Sequence, residues 1–254
     1  MKRGKKSDIH VNPAPGTEIK SPHVSRATSS ISARQGAPDG DAAEATQRAT
    51  RDAKRAIRAD IRATMRAMHP HRRSFKSQAA CEFVVRAPPL AGRGLLLAYR
   101  ALGDEICVDA AVATLASRGW RVAFPSIDAR GNMQLVEISI NASMPDPFQA
   151  EHWTLDRHAI RAPHFDRRTA RRVRARDIDA VLVPARAFDR AGHRLGRGQG
   201  HYDRLLAGLR PDARAATVGV ACAEQIVAAV PVDPHDRPVA WIVTDRGVFR
   251  CRQS

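Results

Sequence analysis

Residues 181–206 read VLVPARAFDRAGHRLGRGQGHYDRLL, which is a short apolar strand, a glycine-rich loop and the beginning of a helix. The apolar run 181–183 is typical of a buried strand, and a helix is predicted over Gln199–Leu209. Between them lie the four glycines Gly192, Gly196, Gly198 and Gly200. Glycine lets the backbone approach a ligand closely and exposes its N–H groups, and the N-terminus of a helix adds a partial positive charge. The stretch therefore predicts an anion cradle suited to nucleotide phosphates.

The charged residues of this stretch agree with that interpretation. Arg194 and Arg197 flank the loop and add fixed positive charge. The loop lacks the GK[ST] end of a P-loop, and its adjacent arginines distinguish it from a dinucleotide fingerprint. Asp203 lies just inside the helix, where it is either a Mg²⁺ ligand or an acidic residue favoured by the first turn. Tyr202 could equally belong to the core, and a glycine-rich turn without a ligand is the alternative for the whole loop.

Strand and helix signals alternate on both sides of this stretch. Strands are predicted over residues 94–99, 120–124, 133–140, 180–183, 217–222 and 239–244, and helices over 48–68, 74–86, 107–118, 199–209 and 223–230. The strands are apolar without alternation, which is typical of a parallel sheet covered on both faces. We therefore predict an α/β fold, a three-layer α/β/α single domain with a largely parallel sheet over residues 48–254. Residues 1–47 are rich in Gly, Ser, Pro, Thr and Ala and are predicted to be a disordered extension.

The predicted helix over residues 48–68 is amphipathic. Its apolar stripe consists of Ile57, Ile61, Met65 and Met68, and its basic stripe consists of Lys54, Arg58, Arg62 and Arg66. The apolar stripe is expected to pack on the core. The basic stripe is either a solvated face or part of a ligand site.

Composition excludes several classes of protein. The 254-residue chain has no run of about 18 apolar residues, so no transmembrane helix is predicted. Its four cysteines form no CxxC pair, which disfavours a zinc ribbon or a thioredoxin-type centre. We expect a cytoplasmic protein that works as a monomer. The net charge of +16 indicates either an anionic partner or the composition of a GC-rich genome, because Arg outnumbers Lys 36 to 6. Residues 157–176 carry eight arginines and are interpreted as a solvated loop or helix, with RNA contact as the alternative.

The stretch FDRAGHRLGRGQGHYDRLL (188–206) resembles the signature of the 5-formyltetrahydrofolate cyclo-ligase family, P-x-x-A-F-D…R-L-G-x-G-x-G-Y-Y-D. Other blocks resemble the family in the same order. They are KRAIRADIRATMRAM (54–68), LLLAYRALGDEICV (95–108), RGWRVAFP (118–125), MQLVEI (133–138) and GVACAEQIVAAVPVDPHDRPVAWIVTD (219–245). The resemblance covers residues 50–250.

The resemblance implies an ATP- and Mg²⁺-dependent closure of 5-formyltetrahydrofolate, with or without a polyglutamate tail, to 5,10-methenyltetrahydrofolate. The residues it assigns to ATP are Lys54, Arg58, Arg194, Leu195, Gly196, Arg197, Gly198, Gln199, Gly200, His201 and Tyr202. Those assigned to catalysis are Arg194, Arg197, His201 and Tyr202. Those assigned to the folate are Arg100, Glu105 and His201, with the Glu105 carboxylate accepting N–H bonds from the pterin ring. Asp203 is assigned to Mg²⁺.

Four positions depart from the family pattern. His201 stands where Tyr or Phe is usual, Ala185 replaces a glycine, and Ala162 replaces the glutamate of an E-P pair. Ala240 aligns with an acidic residue that some members use as a second metal ligand. These departures leave two alternatives open: a diverged member that binds nucleotide or folate with lost or altered activity, and a basic RNA-binding protein.

Overall fold

The computed structural model describes residues 40–138, 148, 153–155, 161–163 and 171–252. One compact unit begins at Gly40. Its helices are α1 (Gly40–Ala67), α2 (Pro70–Arg86), α3 (Asp109–Ser117), α4 (His201–Ala207) and α5 (Pro211–Ala215), with 3-10 helices at Pro88–Leu90, Ala175–Asp177 and Ala223–Gln225. Among the described residues, no helix combines the length and the apolar composition needed to cross a membrane.

The strands form one large sheet and two small ribbons. They are β1 (Leu95–Leu97), β2 (Arg121–Ile127), β3 (Met133–Ile138), β4 (Trp153–Leu155), β5 (Arg161–Pro163), β6 (Arg171–Val173), β7 (Ala180–Pro184), β8 (Ala187–Phe188), β9 (Arg194–Leu195), β10 (Thr217–Val220), β11 (Trp241–Thr244) and β12 (Gly247–Arg250). The large sheet has the order β12-β11-β10-β7-β1-β2-β3-β6, and β4 pairs with β5 and β8 with β9.

The centre of the large sheet is parallel and its edges are antiparallel. Strands β2, β1, β7, β10 and β11 run parallel to one another, whereas β3 pairs antiparallel with β2 and β6, and β12 pairs antiparallel with β11. The chain steps from β1 to β2 on one side and then returns to add β7 on the other side of β1. Such a reversal of strand order opens a crevice beyond the carboxyl ends of the two strands.

Helices cover both faces of the sheet, which confirms the predicted three layers. Consecutive side chains of a strand point to opposite faces, so Leu96 and Leu182 pack with α1, α2 and α3, whereas Leu95 and Leu97 pack with α4 and α5. The predicted apolar stripe of α1 lies in the first of these clusters, where Ile61, Met65 and Met68 are buried and Ile57 packs against them.

The first helix begins earlier than predicted, at Gly40 rather than near residue 48. Its first turns read GDAAEATQ, and alanine has the highest helix propensity while acidic residues are favoured near a helix N-terminus. The other part of the predicted extension, residues 1–39, lies outside the described residues.

The helix predicted over residues 223–230 is wrong beyond its first turn. A 3-10 helix ends at Gln225, and the next residue, Ile226, has an extended backbone that forms a parallel bridge with Phe188. The N–H of Val227 donates to the carbonyl oxygen of Phe188 at 2.8 Å. Pairing with β8 therefore replaces helical hydrogen bonds there.

The arginine-rich segment 157–176 also differs from its prediction as a loop or helix. Its described parts include the strands β5 and β6, and the remainder lies outside the described residues. In β6, Arg171 and Arg172 are exposed and Val173 is buried against the core. A short charged strand of this kind is typical of a sheet edge.

Truncation of Leu182 tests the core. Its side chain is fully buried in the central strand β7, so Leu182→Ala should lower the free energy of unfolding by about 2–5 kcal/mol. Phe75→Ala is the control, since Phe75 is 71% exposed and its truncation should change that free energy by less than about 0.5 kcal/mol. Urea unfolding followed by circular dichroism measures both, and equal effects would contradict this assignment of the core.

Candidate active site

A cavity of about 360 Å³ lies in the crevice beyond the carboxyl ends of β1 and β7. Tyr99 and Arg100, which follow β1, and Pro184 and Ala185, at the end of β7, line it. The N-terminal helix α1 and the loop 194–203 form further walls. The reversal of strand order therefore places a ligand-sized space where the glycine-rich loop begins.

The glycine-rich loop has the backbone that its sequence predicts. Gly198 has a φ of +100° and Gly200 a φ of +66°, which lie in the left-handed region that favours glycine. Gly200 is the N-cap of α4, so the exposed N–H groups of the first helical turn adjoin the cavity. Arg58 donates from Nε to the carbonyl oxygen of Gly196 at 2.9 Å, which ties the loop to α1.

Arg194 lies at the base of this loop and is buried. Its Nη2 is 2.7 Å from Asp203 Oδ1 in an ion pair, and its guanidinium carbon is 5.6 Å from the centroid of the Tyr202 ring. Neither Arg194 Nε nor the Tyr202 hydroxyl has a hydrogen-bond partner among the described residues. Burial and the charge of Glu105 raise the pKa of Tyr202 well above its ordinary value, so the hydroxyl remains a proton donor. Two buried donors thus remain available to a ligand.

Lys54 on α1 connects the cavity to the loop after β10. Its Nζ donates to Asp233 Oδ2 at 2.7 Å and to Asp236 Oδ2 at 2.6 Å. Burial alone would lower the pKa of Lys54, but the hydrogen bonds with the two carboxylates outweigh it and raise that pKa. Burial also acts on Asp236, and the ammonium of Lys54 nevertheless lowers the pKa of Asp236. Lys54 and Asp236 are therefore both charged near neutral pH.

Glu105 carries a buried carboxylate beside the glycine-rich loop. Its Oε1 accepts hydrogen bonds from Arg197 Nη2 at 3.0 Å and Nε at 3.1 Å, and its Oε2 accepts from the N–H of Leu102 at 2.9 Å. Burial raises the pKa of Glu105 above its ordinary value, although Arg197 and the Leu102 N–H oppose the change. A buried carboxylate with a raised pKa is common where a ligand is bound.

The guanidinium of Arg100 lines the cavity but is already engaged. It donates to Asp109 Oδ2 at 2.6 Å and to the carbonyl oxygen of Phe148 at 3.0 Å. It also lies 5.1 Å from the centroid of the Phe148 ring and 4.6 Å from that of Trp153. These contacts make Arg100 part of the wall, and its contact with a substrate stays a prediction.

The residues predicted for the site lie around this one cavity. They are Lys54, Arg58, Arg100, Glu105, Arg194, Leu195, Gly196, Arg197, Gly198, Gln199, Gly200, His201, Tyr202 and Asp203. His201 Nδ1 is 2.9 Å from Arg204 Nη2, on the exposed side of α4. The roles of these residues toward ATP, folate or Mg²⁺ are proposals taken up below.

Sequence reasoning missed the acidic loop that completes the site. Asp233, His235 and Asp236 line the cavity, and one ligand atom from each lies within 4.8 Å of the others. Ala240, which aligns with a possible second metal position, falls just before β11. The signal was present in VDPHD (232–236), where two carboxylates and a histidine follow a strand and a 3-10 helix.

Apolar residues were missed as well: Pro125, Ile127 and Met133 form a wall at the β2–β3 hairpin.

The fold and the cavity define a three-layer α/β protein with a crevice lined by basic residues at its strand-order reversal. The sequence profile of the 5-formyltetrahydrofolate cyclo-ligase family matches residues 50–245, which is more than half of the chain. The chain belongs to this family.

Relatives named 5-formyltetrahydrofolate cyclo-ligase agree with this assignment. The Escherichia coli K12 protein is 26% identical over 191 residues, 74% of this chain and 98% of its own length, and the Mus musculus protein is 24% identical over 74% of this chain and 91% of its own length. The Mycolicibacterium smegmatis protein is 39% identical over 77 residues, which are 30% of this chain and 39% of that protein.

Solved structures show the same fold. The NMR structure of Aquifex aeolicus 5,10-methenyltetrahydrofolate synthetase aligns with a TM-score of 0.62 at 23% identity, covering 79% of this chain and 94% of that one. The Mycoplasma pneumoniae 5,10-methenyltetrahydrofolate synthetase aligns with a TM-score of 0.56 at 21% identity, covering 76% of this chain and 98% of that one.

Glu105→Gln measures the cost of the buried charge. Because the pKa of Glu105 is raised in the folded protein, the stability contributed by its neutral form is lost as pH rises through that pKa. The variant should therefore gain stability over the wild type as pH rises from about 4.5 to 8. Urea unfolding across this range checks the expectation.

Glu137→Gln is the matched control with the opposite sign. A hydrogen bond from Arg121 outweighs burial and lowers the pKa of Glu137, so its charged form stabilises the fold above the ordinary carboxyl pKa. This variant should lose stability over the same pH range. A Glu105→Gln variant that follows the control would contradict the assignment of burial as the dominant effect at Glu105.

Proposed function

We propose that this chain catalyses the ATP-dependent cyclisation of 5-formyltetrahydrofolate to 5,10-methenyltetrahydrofolate, releasing ADP and phosphate. The observation that carries the proposal is one cavity lined by a glycine-rich loop, three basic residues, a buried carboxylate and an apolar wall. The names of the full-length relatives support the same reaction. We further propose a monomer that works in the cytoplasm and accepts polyglutamylated folate, as expected from the sequence.

The basic half of the cavity suits the phosphates of ATP. The loop 196–200 offers backbone N–H groups, and Lys54, Arg58 and Arg194 add three positive charges beside it. The Nε of buried Arg194 has no hydrogen-bond partner among the described residues and can donate to a phosphate oxygen. Charge-assisted hydrogen bonds of this kind hold phosphates in a fixed orientation.

The remaining half of the lining suits the folate. The carboxylate of Glu105 can accept N–H bonds from a pterin ring, and Pro125, Ile127 and Met133 provide an apolar surface for it. Arg197 holds Glu105 in place through two hydrogen bonds. Tyr202, whose hydroxyl lacks a partner among the described residues, lies between this half and Arg194.

This arrangement supports a two-stage reaction. The formyl oxygen on N5 attacks the γ-phosphorus of ATP, so that an O–P bond forms, the bond to the β-phosphate oxygen breaks and ADP leaves. The folate N10 then attacks the activated formyl carbon, the C–O bond breaks with phosphate as the leaving group, and N10 loses its proton. The protein contributes by positioning the two substrates and by neutralising charge on the transferred phosphoryl group, the tasks of Arg194, Arg197 and Lys54.

The acidic residues of the cavity fit a Mg²⁺ ion. Asp203, Asp233 and Asp236 offer carboxylate oxygens, the donors that Mg²⁺ prefers. When bound, Mg²⁺ would neutralise phosphate charge and orient the γ-phosphate. In this structure Lys54 and Arg194 balance these carboxylates.

A turnover assay tests the proposal. Purified protein with ATP, Mg²⁺ and 5-formyltetrahydrofolate should form the methenyl product, followed by its ultraviolet absorbance, with one ADP released per product. ATP binding without any product would instead support a diverged member whose substrate differs, and would overturn the proposed reaction.

Loss of one phosphate contact should weaken the use of ATP. A charge-assisted hydrogen bond is worth about 1.5–3 kcal/mol, so Lys54→Ala and Arg194→Ala should each raise the KM for ATP about 10- to 150-fold. Arg55→Ala is the control, because the neighbouring Arg55 is 81% exposed and pairs with Asp52 on the surface. Unchanged ATP kinetics in both site variants would contradict their assignment.

Asp203→Asn tests the assignment of Mg²⁺. The variant keeps the shape of the side chain but removes its negative charge, so a higher Mg²⁺ concentration should be needed for half-maximal rate. Isothermal titration of ATP at several Mg²⁺ concentrations provides a readout independent of turnover. A Mg²⁺ dependence equal to that of the wild type in both measurements would remove Asp203 from the metal site.

A further inference from the structure

Asp189 is a buried carboxylate that lies outside the cavity lining but contacts two of the segments that build it. It follows β8 directly and is 4% exposed. Its Oδ1 accepts hydrogen bonds from the N–H groups of Ala191 at 2.9 Å and His193 at 3.0 Å. Its Oδ2 lies 3.0 Å from His193 Nδ1 and accepts a hydrogen bond from the N–H of Val230 at 3.0 Å. Each oxygen thus has two contacts.

The first pair of bonds fixes the turn that leads into Arg194. Besides its side-chain bonds, Asp189 donates its N–H to the carbonyl oxygen of His193 at 3.0 Å and accepts the N–H of Gly192 on its own carbonyl oxygen at 3.1 Å. The turn is closed by four bonds, and Arg194 is the next residue. The direction in which the Arg194 arm and the following loop leave the turn therefore depends on Asp189.

The bond to Val230 connects this turn to the acidic loop 231–238. Val230 immediately precedes that loop, which carries Asp233 and Asp236. The far end of the same loop is also attached to the turn, since the N–H of Val239 donates to the carbonyl oxygen of Gly192 at 2.9 Å. Both ends of the acidic loop are thus anchored on residues 189–192.

Gly192 makes this attachment close. Its φ is +92°, and a Cβ placed there would lie 2.2 Å from the carbonyl oxygen of Val239. Backbone packs directly on backbone at this point, so a shift of the turn is transmitted to the acidic loop.

We propose that Asp189 is a positioning residue that sets the separation between the Arg194 arm of the glycine-rich loop and the Asp233–Asp236 loop. These two walls carry opposite charges: Arg194 on the first pairs with Asp203, and Asp233 and Asp236 on the second pair with Lys54. A nucleotide with its divalent cation needs both walls at a fixed distance. Asp189 touches neither substrate and acts through the backbone.

Asp189→Asn is the variant that tests this role, which rests on the proposed use of ATP. Asparagine has one acceptor oxygen and one N–H donor group, so it can keep the bonds to Ala191 and His193 but then faces the N–H of Val230 with a donor. The dissociation constant for ATP with Mg²⁺, measured by isothermal titration, should rise at least tenfold. The KM for ATP should rise in parallel, while the KM for 5-formyltetrahydrofolate should stay within twofold.

Two control variants separate positioning from general destabilisation. Asp179→Asn alters a carboxylate that also accepts a backbone N–H, that of Leu95 at 2.8 Å, but at the amino ends of β1 and β7, away from the cavity. It should leave ATP affinity unchanged. His193→Ala removes a side-chain contact of Asp189 and leaves the backbone bonds, so it should change ATP affinity by less than threefold.

The outcomes are distinguishable. If the wild type binds no ATP with Mg²⁺, the proposed function fails. If the wild type binds ATP and Asp189→Asn binds it equally well, the positioning role is overturned. The role is also overturned if Asp189→Asn raises the KM for ATP and the KM for 5-formyltetrahydrofolate by the same factor, and if Asp179→Asn weakens ATP binding as much as Asp189→Asn does. Should Asp189→Asn not fold, hydrogen exchange of the wild type decides: a non-hydrolysable ATP analogue with Mg²⁺ should slow the Val230 and His193 amides together, and a Val230 amide that exchanges at the solvent rate would refute the role.

Discussion

The reversal of strand order between β1 and β7 is the constraint on which the rest of the molecule depends. Because β2 is added on one side of β1 and β7 on the other, the connections leave on opposite sides and the two strand ends cannot be covered by one loop. The resulting crevice receives side chains from distant segments, among them Lys54, Glu105 and Arg194. Edge strands and covering helices matter to the site chiefly because they keep these strand ends in place.

Many of the charged side chains that line the crevice are paired with one another. Lys54 is paired with Asp233 and Asp236, Arg194 with Asp203, and Arg197 with Glu105. An isolated buried charge would be costly, so pairing is what allows so many ionised groups to share about 360 Å³. A charged ligand must therefore exchange partners with these residues, and its binding energy is a difference between two sets of ion pairs.

The sequence predicts the layers and the glycine-rich side of the site well, for identifiable reasons. Unalternating apolar strands require cover on both faces, and residues 194–203 are contiguous, so their grouping needs no tertiary information. The acidic loop was missed because Asp233 and Asp236 join the site only through contact with Lys54, which lies 179 and 182 residues away in the chain. The helix expected over 223–230 failed for a related reason, since its end pairs with Phe188, a tertiary contact that overrides local propensity.

The long sequence separation between Lys54 and its carboxylate partners also affects how the protein folds during its synthesis. On the ribosome, α1 is synthesised well before the acidic loop, so the cavity cannot be assembled until the long segment between them has emerged. Contacts this distant in sequence carry a large loop-closure entropy and are formed late. A nascent chain therefore exposes the basic stripe of α1 until the acidic loop has emerged, and a truncated product that lacks this loop leaves Lys54 without Asp233 and Asp236.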